Sequence, residues 1–87
     1  MSWKVRISRQ ALEDLDRVRA YDATLYREEY ELALSVERSP YSGLGSPAKL
    51  PFIGPNTWYR RLSLLHRVVY EVSGEIVVIG AFRSYVE

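Results

Sequence analysis

The first residues alternate apolar and polar side chains, Trp3-Lys4-Val5-Arg6-Ile7. That period of two predicts a short strand with Trp3, Val5 and Ile7 on its apolar face. Ser8 then supplies an N-cap, and the period changes. Leu12, Leu15 and Val18, with Ala11 beside them, recur at helical spacing, while Glu13, Asp14, Asp16 and Arg17 take the other side. Tyr21-Asp22 marks a brief break. A second amphipathic segment follows from Ala23 to Glu37, with Leu25, Tyr26, Tyr30, Leu32, Ala33 and Val36 as packing positions. Its acidic runs read as solvated faces.

Ser39 to Thr57 holds all four prolines and three of the five glycines, which predicts a long loop with a short turn of structure around Lys49-Leu50. Loops longer than about 12 to 15 residues are uncommon unless they bind something or are disordered, so a functional loop is favoured. Three strands follow, near Trp58–Ser63, Leu65–Val72 and Glu75–Phe82, with Ser73-Gly74 as a tight hairpin turn. The order strand, helix, helix, three strands predicts one α+β domain over residues 1–87, with the helices packed on one face of an antiparallel sheet. The other face is left available for a ligand.

Composition narrows the function classes. At 87 residues the core is small, and domains of this size bury only about 60% of the surface of their unfolded chains. The absence of cysteine excludes a disulfide framework and a thiolate metal site, and a single histidine argues against zinc. The N-terminus lacks the apolar stretch of a signal peptide, and no run reaches the roughly 18 residues of a membrane helix. A cytoplasmic protein without membrane contact is expected. The net charge is only +1, but its distribution is uneven. Through Arg38 acidic residues outnumber basic ones by one. Beyond it Lys49, Arg60, Arg61, Arg67 and Arg83 stand against Glu71, Glu75 and Glu87. The sheet is therefore expected to form the positive side of the molecule.

Trp58 to Val72, WYRRLSLLHRVVYEV, sets arginines beside aromatics in strand-forming sequence. Such a surface suits RNA phosphates, although three arginines on a strand are equally consistent with an ordinary wet face. The segment SPYSGLGSPAKL, then W-x-R-R-L, then H-R-V-V-Y and the closing FRSY resemble the YoeB branch of the RelE superfamily of bacterial toxin endoribonucleases. From Ser39 onward the match needs no gaps and covers a little more than half of the chain.

What the resemblance implies is a toxin of a toxin–antitoxin pair that cuts messenger RNA in the ribosomal A site. It uses no metal or cofactor: the RNA's own 2′-hydroxyl attacks the phosphate. An antitoxin protein, messenger RNA and ribosomal RNA are the implied partners, and a homodimer is compatible. The fold implied is close to that of small microbial ribonucleases, with RNA on the open face of the sheet.

Arg67, within H-R-V-V-Y, matches the family's arginine at the scissile phosphate, and a planar guanidinium suits bidentate phosphate contact. Arg60 and Arg61 both match the pattern. Adjacent strand residues point to opposite faces, so at most one faces RNA squarely, and Arg61 is preferred because it shares parity with Arg67. Two positions depart from the family. Its general-base glutamate corresponds to Ala48, which cannot move a proton, and its terminal histidine corresponds to Tyr85. Tyr85 is either a substitute for that histidine or the family's following tyrosine shifted by one. RelE-like relatives offer another pattern, of lysines, arginines and a C-terminal tyrosine, which Lys49, Arg61, Arg67, Arg83 and Tyr85 resemble. Cations beside Tyr85 would lower its pKa toward a useful range.

The expected catalytic set is thus Arg67, Arg83 and Tyr85, with Lys49, Arg60, Arg61 and Tyr59 as RNA contacts. A strict two-residue Ser73-Gly74 hairpin would place Arg67 opposite Gly80 and Arg83 on the other face, so the set requires a longer loop, a bulge or a bend. His66, Trp58 and Tyr70 are expected to be structural. Three functions compete: a ribosome-dependent endoribonuclease, a catalytically impaired member that binds antitoxin or ribosome, and a plain dimerising protein.

Overall fold

The computed structural model describes residues 3–62 and 66–84, without the side chains of the last two. The elements are β1 (Lys4–Ile7), α1 (Arg9–Tyr21), α2 (Ala23–Arg38), β2 (Ala48–Lys49), β3 (Thr57–Arg61), β4 (His66–Ser73) and β5 (Ile76–Ser84). They form a five-stranded sheet in the order β1-β5-β4-β3-β2, with both helices on one face. The expected α+β layering is present, but the sheet is mixed: β1 pairs parallel with β5, and the other pairs are antiparallel. In chain order the α1–α2 hairpin separates β1 from the other strands, and a parallel pairing requires such a long connection.

Caps delimit the helices, at Ser8 as the sequence predicts and at Asp22 within the expected break. Ser8 Oγ accepts the Ala11 N–H at 3.1 Å, and Asp22 Oδ1 accepts the Leu25 N–H at 3.0 Å. Asp22 also ends α1, because its own N–H bonds the Val18 carbonyl at 2.8 Å. One residue therefore stops one helix and starts the next.

The core joins Ala11 and Leu15 of α1 and Leu32 and Val36 of α2 to Val68, Tyr70, Val72, Val77, Ile79 and Phe82 of the sheet. Both helices bury most of their expected positions, with one exposed exception and one buried carboxylate in each. Leu12 is 50% exposed and Asp14 only 5%, so the buried stripe of α1 runs Ala11, Asp14, Leu15, Val18. Likewise α2 buries Leu25, Glu29, Leu32 and Val36 and exposes Tyr30. Asp14 and Glu29, expected on solvated faces, are buried. No helix among the described residues is long and apolar enough to cross a membrane.

Candidate functional site

Along β4 the side chains alternate. Val68, Tyr70 and Val72 are buried under the helices, while Arg67, Val69 and Glu71 take the opposite face. Across β3, Arg61 is the cross-strand partner of Arg67, and across β5, Arg83 is its partner on the other side. Three arginine positions thus stand in one row over three adjacent strands, spaced by about 4.8 Å per strand. Like charges directly opposite one another destabilise a sheet unless counter-charges offset them.

Two details of the hairpin create this row. Ser73 pairs with Ile76, so the two-residue turn is Gly74-Glu75, not Ser73-Gly74, and Gly74 takes the left-handed φ of +60° that the turn demands. By itself that register would set Arg67 opposite Phe82. The register then shifts between Val69 and Tyr70, whose partners are Ala81 and Ile79, leaving Gly80 as an extra residue. This bulge turns the following positions over, restoring Phe82 to the core and bringing Arg83 opposite Arg67.

The Arg67 guanidinium lies 5.2 Å from the centroid of the Tyr59 ring, a diagonal cross-strand contact made possible by the pairing of Tyr59 with Val69. Tyr59 therefore supports Arg67 as well as lining the face. Ala48 is the cross-strand partner of Tyr59, so the position matching the family's glutamate borders this face and carries only a methyl group.

Two expected RNA contacts are placed elsewhere. Arg60 is 0% exposed. Its Nε donates to Tyr70 Oη at 3.2 Å, Nη1 to Ser35 Oγ at 2.6 Å and the Leu44 carbonyl at 3.2 Å, and Nη2 to the carbonyls of Ser39 and Ser42. A guanidinium has five N–H groups, and these five acceptors use them all. Arg60 is thus a clamp that ties the loop after α2 to the sheet and has no donor left for RNA. Tyr70, accepting from Arg60, donates to the Pro40 carbonyl. Burial raises the Tyr70 phenol above the usual tyrosine range, against a smaller lowering by Arg60. The same loop meets β3 at Gly45, whose carbonyl accepts the Arg61 N–H at 2.8 Å. A Cβ there would lie 2.7 Å from the Arg61 carbonyl oxygen. Lys49 is the second displaced residue: it pairs with Trp58, on the opposite parity from Arg67, and its ammonium lies 5.6 Å from the Trp58 ring centroid. It belongs to a separate edge of the sheet.

His66 lies on the helix-facing parity, beside a recess lined by Asp22, Thr24, Leu25, Glu28 and Leu62. Trp58 packs against the core and contacts Tyr41, which in turn meets Trp3 edge-on at 5.6 Å. Tyr85 lies outside the described residues.

Sequence reading missed two buried carboxylates. Asp14 Oδ2 accepts the Phe82 N–H at 3.0 Å, while Oδ1 accepts Gln10 at 2.8 Å and Arg17 at 3.3 Å. Glu29 Oε1 is buried without a hydrogen-bond partner, and its pKa is raised to about 7 by burial first and then by Asp14 and Asp22. The signal available was positional: Asp14 and Glu29 each fall on the helical stripe of the apolar residues around them.

Residues 7–85 match the model of the YoeB-like toxin of bacterial type II toxin–antitoxin systems. Toxin YoeB of Escherichia coli K12 is 31% identical over 64 residues, spanning 74% of this chain and 76% of that protein. A YoeB/ParE toxin from Agrobacterium tumefaciens superposes with a TM-score of 0.85 at 27% identity, covering 95% of this chain and 99% of the other. The YoeB of Staphylococcus aureus, seen as a dimer, gives 0.80 at 28% identity over 98% of both chains. In complex with YefM it gives 0.79 at 28% identity, again over 98% of both. With its arginine row on the open face of a sheet of this form, the chain belongs to the YoeB-like toxins of type II toxin–antitoxin systems.

Proposed function

We propose that this toxin cleaves messenger RNA in the ribosomal A site, holding the scissile phosphate at the arginine row. The observation that carries this is the register that aligns Arg61, Arg67 and Arg83 across β3, β4 and β5, with Tyr59 against Arg67. In the proposed reaction the ribose 2′-oxygen forms a bond to phosphorus and the bond to the 5′ oxygen breaks. The 2′ proton leaves to a base, and the departing 5′ oxygen takes a proton from an acid. Arg67 and Arg83 stabilise the negative charge that develops on the non-bridging oxygens, and such preorganised cations are a large contribution to catalysis. Tyr85, assigned from its place in the sequence, serves proton transfer. Ribosomal RNA supplies further contacts, and the work is done in the cytoplasm.

A YefM-type antitoxin partner is proposed from the complex of the S. aureus relative, and a homodimer from that relative's dimer. A second function is supported by a specific observation. Ala48 leaves the face beside Tyr59 without the family's carboxylate. A module that only binds antitoxin or ribosome needs no proton-transfer group, whereas cleavage needs the one assigned to Tyr85. Tyr85→Phe separates the two. Cleavage lost with ribosome binding intact supports catalysis by Tyr85, and equal loss of both removes that assignment.

A further inference from the structure

Parallel pairing between β1 and β5 stops early. Ile7 partners Ile79, and the Ser8 N–H bonds the Ile79 carbonyl at 2.9 Å. Beyond that point β5 continues through Gly80 to Ser84 without β1 beside it. This is the stretch that carries the bulge and Arg83.

Side chains of the first two turns around α1 take over where the strand ends. Ser8 Oγ donates to the carbonyl of Gly80, the bulged residue, at 2.8 Å, while accepting the Ala11 N–H. Two residues farther along, Asp14 accepts the Phe82 N–H. A buried carboxylate is costly unless it is hydrogen-bonded, and bonds to an ionised acceptor are stronger than neutral ones. Asp14 directs one oxygen to a main-chain group 68 residues away and keeps the other for Gln10 and Arg17.

We infer that Ser8 and Asp14 are positioning residues that lock the bulged register of β5 and thereby set Arg83 opposite Arg67. A slip of one residue would exchange the faces of Phe82 and Arg83, so the register is a condition for the arginine row. The inference rests on the proposed cleavage at that row. Burial of Phe82 favours the same register, but the two side-chain bonds fix the main chain at the bulged residue itself and two residues beyond it.

The test compares wild type, Asp14→Asn, Ser8→Ala and Val36→Ala by amide exchange, cross-strand NOEs and single-turnover cleavage of messenger on programmed ribosomes. Asparagine keeps the size of the side chain but removes its charge, so any bond it retains to the Phe82 N–H is the weaker, neutral kind. Expected for Asp14→Asn are faster exchange at the Phe82 amide, a weakened backbone NOE between residues 67 and 83, and cleavage slowed by up to about 10²-fold, the cost that a 1 Å misplacement can carry. Ribosome affinity stays unchanged. Ser8→Ala, the milder variant, moves the same readouts in the same direction. Val36→Ala removes core methyls from α2 without touching either side-chain bond to β5, lowering stability while leaving the NOE and the rate intact. If Asp14→Asn and Ser8→Ala cut at the wild-type rate with the NOE preserved, or if Val36→Ala slows cleavage as much, the positioning role is wrong. If wild type itself leaves the messenger intact, the nuclease function falls and takes this inference with it.

Discussion

Arg67 is paired across the β4–β5 ladder with Arg83, and Gly80 is the reason: without the extra residue at the register shift, Arg67 would face Phe82. Arg61 completes the row from β3. Each arginine that meets a phosphate of single-stranded nucleic acid adds about 0.7 to the slope of log affinity against log salt. Arg67→Ala and Arg83→Ala should each lower that slope by roughly this amount for a single-stranded RNA oligomer, measured by fluorescence anisotropy. Arg67→Lys should keep the slope and still lose cleavage, because an ammonium keeps the charge without the planar fork.

Ala48 offers a gain of function. Its cross-strand partner Tyr59 contacts Arg67, so Ala48→Glu would set a carboxylate beside the row. A positioned general base is worth about 10² to 10⁴-fold. Cleavage by Ala48→Glu should therefore exceed wild type, read as single-turnover rates on programmed ribosomes. An unchanged rate would show that proton transfer is supplied elsewhere.

Arg60 should matter for folding and not for RNA. All of its N–H groups are engaged with Ser35, Ser39, Ser42, Leu44 and Tyr70. Arg60→Met leaves these acceptors, the buried Tyr70 among them, without their donor, and breaking such a network costs about 3 kcal/mol or more. Urea titration should show that loss, while RNA affinity of the folded fraction stays within error of wild type.

Glu29 gives stability a dependence on pH. Its carboxyl is raised from the ordinary 4.5 to about 7, so between these values the folded chain holds a proton that the unfolded chain has released. Stability therefore declines as pH rises through this window, by up to about 3 kcal/mol in total, and the decline is complete above pH 7. Unfolding free energies at pH 5 and pH 8 measure it. Glu29→Gln should flatten the decline, and an unchanged slope would assign it to another group.

The legible part of the fold was the part written in local pattern. Trp3, Val5 and Ile7 announce a strand, Ser8 a helix start, Tyr21-Asp22 a break between helices, and prolines and glycines the loop after α2. Parity also separates Arg60 from Arg61. What could not be read was decided by long-range contacts. The parallel placement of β1 depends on the helical crossover, and the bulge at Gly80 on groups from α1. Asp14 and Glu29 looked solvated because each lies within an acidic run, yet each occupies the buried stripe of its helix. Lys49 looked like part of the cationic set, but its pairing with Trp58 assigns it to the other parity.

The most direct test of the central claim is primer-extension mapping of a defined messenger in a purified translation system, with and without ribosomes, for wild type and Arg67→Ala. Cleavage at the arginine row predicts codon-aligned cuts that require ribosomes and vanish in Arg67→Ala. Intact messenger in the presence of wild-type protein that still binds ribosomes or antitoxin would contradict it and identify the chain as a binding module.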